Sequence, residues 1–282
     1  MRRLFRLLKR NPAPILGIII ILTVLFAALF GTHLAPFDPD AMDLSNRLKP
    51  PFWMKDGNWK HLFGTDMLGR DVFSRLICGT RESIVIGISS SFIALLLGVS
   101  LGMRSGYLGG IFDIVVMRLV DIMLALPPIM IAIVLVAIIG PHLISIIIAM
   151  GLTMWSEYAK VIRSRTLTLK EESFILAAKV LGSSNLRIVL KHVFPNIIYI
   201  IIVIFTLQIG TIILWSTALS FIGLGGVTLS WGWDIAAGRI YVSTAWWLST
   251  IPGLAIFVTV LGFNLFGDWL RDILDPSLSK EL

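Results

Sequence analysis

The sequence predicts an all-α integral membrane protein with six transmembrane helices. Hydrophobic residues fill 56% of its 282 positions and charged residues only 15%, against roughly 25% charged in a soluble domain. The mean hydropathy is +0.89. The apolar residues also gather into runs close to the length of about 20 residues that a helix needs to cross hydrocarbon.

The first run, Ile15–Phe30, follows the basic start Met1-Arg2-Arg3-Leu4-Phe5-Arg6-Leu7-Leu8-Lys9-Arg10. That start has a signal-peptide look. The run is long for one, however, and no small-x-small cleavage site follows, so an uncleaved first helix is expected. The next segment, Gly31–Glu82, is rich in Pro, Asp, Trp and Gly and reads as an irregular excursion rather than a folded domain. The remaining spans are Ser83–Leu101, Ile114–Ile139, Leu143–Ser156, Ile197–Phe221 and Ala245–Phe266. The fourth is short, bounded by Pro141 on one side and the abrupt Ser156-Glu157 on the other. Two parts result: residues 1–82, holding an N-terminal arm, the first helix and the excursion, and residues 83–282, a five-helix core with a polar loop at 157–196.

Lysine and arginine set the orientation. The arm carries Arg2, Arg3, Arg6, Lys9 and Arg10, and the loop after span four carries Lys160, Arg163, Arg165, Lys170, Lys179, Arg187 and Lys191. Six spans put both segments, and the C-terminus, in the cytoplasm. The excursion opposes this with seven basic residues of its own, Arg47, Lys49, Lys55, Lys60, Arg70, Arg75 and Arg81. Its length, near the limit where the rule holds, softens the conflict. The net charge of +7 does not indicate nucleic-acid binding, because the basic residues flank apolar runs. Cys78 is the only cysteine, so neither an intrachain disulfide nor a thiolate metal cluster is possible.

The polar loop is the most informative stretch. Glu171-Glu172-Ser173 suits a helix start, where negative charge is favoured. Phe174, Ala177, Ala178 and Leu181 recur at helical spacing on one face. Gly182 can end that helix in a left-handed turn. Ser183 or Ser184 can cap a second helix over Leu186 to His192, with a stop before Pro195. The pattern fits docking to a cytoplasmic partner and fits equally an amphipathic helix resting on lipid.

Other features have simpler roles. Arg118 and Asp121, three apart, can pair on one helix face. Pro127-Pro128 should kink span three. Gly98, Gly102, Gly106 and Gly110 recur every four residues, and the first two allow close helix contact. Gln208 and Asn264 lie within spans, where hydrogen bonding to another helix or lining of a path is expected. Gly98-Val99-Ser100-Leu101-Gly102 matches the hydrolase nucleophile elbow but sits in an apolar helical run. No Gly-x4-Gly-Lys-Ser/Thr occurs, so the chain is not itself a P-loop ATPase.

The loop resembles the segment by which bacterial ABC importer permeases receive force from their ATPases, patterned Glu-Ala-Ala-x3-Gly with a proline thirteen residues later. Ala177, Ala178, Gly182 and Pro195 fit, while Leu176 stands at the usual glutamate and His192 at the usual isoleucine. A longer resemblance, from about Leu34 to Pro276, is to the C-type permease subunit of dipeptide and oligopeptide importers. It is carried by Gly64-Thr65-Asp66-x-x-Gly69-Arg70-Asp71-x-x-Ser74-Arg75, Gly106-Tyr107-x-Gly109-Gly110-x-x-Asp113, Leu124-Ala125-x-Pro127, Ser220-Phe221-Ile222-Gly223-Leu224-Gly225 and Asn264-x-x-Gly267-Asp268. Between Gly225 and Trp231 the two prolines usual in that branch are missing.

The resemblance implies the ABC importer permease fold in a bacterial cytoplasmic (inner) membrane. It implies partners: a homologous B-type permease, two ABC ATPases that use ATP and Mg, an extracytoplasmic peptide-binding protein, and membrane lipid. The chain itself would bind no cofactor and no metal. Phe174, Ala177, Ala178, Leu181, Gly182, Ser184, His192 and Pro195 would couple to the ATPases, and Arg118, Asp121, Pro127, Gln208 and Asn264 would line or gate the path. The same machine could import nickel chelates, glutathione or another small solute. An ion-coupled secondary transporter would want carboxylates near mid-bilayer, and Asp113, Asp121 and Asp268 lie near predicted span ends.

Overall fold

The computed structural model describes residues 12–226 and 229–274. The basic N-terminal arm, Val227 and Thr228 between Gly225 and Trp231, and the stretch from Asp275 lie outside the described residues. Ten α-helices follow in order: α1 (Ala13–Leu34), α2 (Val72–Leu108), α3 (Gly110–Ala125), α4 (Pro128–Ile139), α5 (Leu143–Lys170), α6 (Ser173–Val180), α7 (Asn185–Ile188), α8 (Phe194–Phe221), α9 (Trp231–Gly238) and α10 (Trp247–Leu274). Among the described residues there is no strand, only one isolated bridge between Thr65 and Asp71.

Four helices, α1, α2, α10 and the continuous stretch through α7 and α8, are each long and apolar enough to cross a membrane. The third predicted span is not one helix. Pro127 and Pro128 break it into α3 and α4, bent by 96°, and if that pair is one crossing the number rises to five. Two prolines in succession remove two backbone donors, and the residue before each is pushed out of helical geometry. Leu126 and Pro127 accordingly take extended ψ values of 139° and 129°.

The fourth span runs 14 residues beyond its expected end, since α5 continues from Ser156 to Lys170. Its polar residues suggested a loop, but they occupy one face only. The other face, Trp155, Tyr158, Ala159, Ile162 and Thr166, keeps helical spacing and is buried. It packs on α2, whose glycines make the approach possible. A β-carbon on Gly98 would stand 2.5 Å from the Trp155 carbonyl oxygen, on Gly102 2.6 Å from that of Ala159, and on Gly106 2.8 Å from that of Arg163. The glycine stripe is therefore real, and three members of it, not two, seat α5.

The excursion is shorter than the expected Gly31–Glu82, because α1 runs to Leu34 and α2 begins at Val72; residues 35–71 are largely irregular, yet tightly fastened. Asp66 accepts backbone N–H bonds from Leu68 (2.8 Å) and Arg70 (2.9 Å) and pairs with the Arg70 side chain. Asp71 caps α2 through Ser74 and also meets His61 at 3.0 Å. Arg75, only 3% exposed, reaches Asp234 (2.7 Å), Asp40 (3.2 Å) and the Pro39 carbonyl (3.1 Å). Burial pushes the Asp234 carboxyl up, and the Arg75 guanidinium pulls it back. The Gly-Thr-Asp…Ser-Arg motif is thus a knot that ties the excursion to the first turn of α2 and to α9.

Candidate functional site

At the opposite end of the bundle, residues 171–193 form an elbow between α5 and α8. Its corner is set by Gly182, at φ +77°. The Gly182 N–H donates to the Lys179 carbonyl (3.0 Å) and the Ser183 N–H to the Ala178 carbonyl (3.1 Å). This is the Schellman closure that a left-handed glycine permits. Ser184 then caps α7, its Oγ accepting from the Arg187 N–H at 3.4 Å.

The second half departs from expectation. The chain does not stop before Pro195. A single π-turn over Val189–Val193 leads straight into α8, with Pro195 in its first turn. The wider turn tolerates the missing proline N–H. The His192 carbonyl accepts the Asn196 side-chain N–H at 2.7 Å.

The faces also differ. Ala178, expected on the docking surface, is turned inward and 8% exposed; with Ile175, Ile188 and Val193 it belongs to the main core. These four residues weld the elbow to the bundle. Phe174, Ala177, Leu181, Gly182, Ser184 and Pro195 are exposed, and His192 is half-buried. The face that looks outward is led by Val180, 88% exposed, Leu181, 84%, and Leu186, 69%. Val180 and Leu186 escaped sequence reasoning, although three large apolar residues around a glycine corner were the available signal. Lys179 lies over the Tyr107 ring (5.4 Å to its centre), and Tyr107 Oη and Asn185 Oδ1 are 3.3 Å apart, so α2 holds the elbow from behind. Beside it Asp113 receives Arg163 in a two-pronged contact of 2.5 and 2.6 Å and a hydroxyl bond from Ser105.

The expected path residues are not gathered together. Arg118 and Asp121 are exposed on α3 and form no ion pair with each other, Pro127 marks the α3–α4 corner, and Asn264 is exposed on α10 without a hydrogen bond to another helix. Gln208 does bond across helices. Its Nε2 donates to Glu157 of α5. Glu157 was passed over because span four was ended at Ser156. Fourteen residues from the start of a 28-residue helix, it is a carboxylate at mid-length. Ser100 lies inside α2 with its hydroxyl donated to the Leu97 carbonyl (3.0 Å), so the hydrolase elbow does not exist.

The elbow thus joins a buried root to an exposed apolar face at one end of a bundle of membrane-length helices. Residues 94–280 match the family described as the inner membrane component of binding-protein-dependent transport systems, and residues 1–51 match the N-terminal transmembrane domain of oligopeptide transport permease C. The di/tripeptide permease DppC of Pseudomonas aeruginosa is 40% identical over 272 residues, 96% of this chain and 90% of that protein. The probable D,D-dipeptide permease DdpC of Escherichia coli is 39% identical, covering 97% and 91%. The oligopeptide permease OppC of Bacillus subtilis is 38% identical, covering 96% and 88%. The chain belongs to this family of multi-pass inner-membrane transport components, and within it to the C-type permease branch.

Proposed function

We propose that the chain is the C-type permease of an ATP-driven importer of di- and oligopeptides. It works beside a homologous B-type permease, two cytoplasmic ABC ATPases that use ATP and Mg, and an extracytoplasmic peptide-binding protein. Both termini and the elbow are cytoplasmic, and the chain itself binds no nucleotide. The observation that carries the coupling role is the outward apolar face of Val180, Leu181 and Leu186 on an elbow welded to the core by Ile175, Ile188 and Val193. A contiguous exposed apolar patch on a polar loop marks a docking surface. Rigid α5 and α8 leave the elbow directly, so displacement of the elbow moves the middle of the bundle. ATP shifts the two states only through its different affinity for each.

The test places a cysteine at Leu181 in a Cys78→Ser chain and crosslinks it in cells that are actively importing. Adducts with ATPase subunits are the expected result. Adducts with phospholipid alone would reject the docking role. The second reading is an ion-coupled transporter, favoured by a carboxylate, Glu157, that bonds across from α5 to α8. Peptide uptake that persists in proteoliposomes without the ATPases would favour that mechanism instead.

A further inference from the structure

We infer that Glu157 and Gln208, with Arg165 and Arg271 below them, form a two-ended site for a peptide in transit. Its acidic end takes the terminal ammonium, and its basic end the terminal carboxylate. The inference rests on the peptide-importer reading above and assigns residues to it.

Four observations lead there. Glu157 sits at mid-length of α5, about 20 Å from either end at about 1.5 Å of rise per residue over a 28-residue helix. Glu157 is exposed on the surface of the single chain, and an ionised carboxylate turns to protein or to water rather than to hydrocarbon. The same face of α5 then presents Lys160, Ser164, Arg165 and Thr168, all exposed, at helical spacing. This face is therefore not a lipid face over the second half of the helix.

Gln208 orients the carboxylate. Its Nε2 donates to Glu157, while its own Oε1 is buried and without a partner among the described residues. A buried amide oxygen left unpaired marks a missing donor. Lys160, one turn along, is not paired with Glu157.

One turn further toward the elbow lies a cavity of about 340 Å³ between α5, α8 and α10. Val161, Val203 and Leu207 line its walls, and Arg165, Arg271 and Tyr199 supply its polar groups. Glu157 and Arg165 are eight residues apart, about 12 Å along the helix. An extended peptide advances about 3.3 Å per residue, so three or four residues span the gap, and arginine side chains can reach inward for a shorter one. Apolar walls between opposite charges suit a peptide with variable side chains and fixed termini.

The experiment uses the whole permease–ATPase complex in nanodiscs, without the binding protein, so that selection upstream does not intervene. Val161→Cys is introduced into a Cys78→Ser chain, and labelling by a maleimide is followed. Tri-alanine should slow labelling. N-acetyl-tri-alanine should need about tenfold more peptide for the same protection, the loss expected for a hydrogen bond to a charged group. Glu157→Gln should erase that difference. If Glu157→Gln fails to assemble, the comparison of free and capped peptide in the Glu157 protein still decides. Val203→Cys repeats it from the other wall. Equal protection by both peptides, or none by either, overturns the site. That surface would then belong to contact with the second permease. ATP-dependent uptake of tri-alanine, measured separately with the binding protein present, tests the importer reading: uptake without amine-dependent protection removes the site alone, and no uptake removes the importer.

Discussion

At the excursion end Asp66, Asp71 and Arg75 are charged side chains that are buried and paired. At the elbow end Val180, Leu181 and Leu186 are apolar side chains that are exposed. Arg75 and Asp234 are almost wholly covered, and they join segments 159 residues apart. Val180 and Leu181 touch little of their own chain, while Ile175 and Ile188 beneath them are fully buried. The charged knot of the first region closes within the chain. The second is held at its root by buried side chains and open at its face.

The difference can be broken in graded steps. Arg75→Ala should be the most severe, at about 3–5 kcal/mol, because it strands a buried carboxylate; faster proteolysis of residues 35–71 and a lower melting temperature would register it. Near-native melting would mean that the knot is not what fastens the excursion. Gly102→Val forces a side chain against the Ala159 carbonyl on α5 and should cost about 1–3 kcal/mol, or prevent assembly of the complex. Gly182→Val places a β-branched residue at φ +77°, strain of about 1–3 kcal/mol confined to the corner; the protein should still insert while uptake falls, and wild-type uptake would count against the corner. Ser184→Ala removes a cap worth about 0.5–2 kcal/mol and should do less. Leu181→Asp should leave the melting temperature nearly unchanged and yet lower coupled ATP hydrolysis. An equal loss in both would erase the contrast between the two ends.

What could be read from the residues depended on whether the signal was local. The Gly182 corner, the Ser184 cap and the break at Pro127-Pro128 each arise from a few neighbouring residues, and each appears as read. The length of α5 was hidden because polar residues on one face drew the eye from buried Tyr158, Ala159, Ile162 and Thr166 on the other. That error also concealed Glu157. Pro195 misled because proline ends many helices, whereas a π-turn makes room for one here. The partner of Arg75 was beyond reach, since nothing near residue 75 announces Asp234.

That long separation has a consequence for biogenesis. Arg75 finds Pro39 and Asp40 among residues already made, but Asp234 lies 159 positions downstream. At about 5–20 residues per second, translation supplies it about 10–30 s after the arginine. During that interval six more helices, α3 to α8, leave the ribosome while the guanidinium waits for its main counter-ion. A nascent polypeptide halted before residue 234 lacks the pair that ties residues 35–71 to α9, which gives proteases a direct means of telling unfinished copies from finished ones.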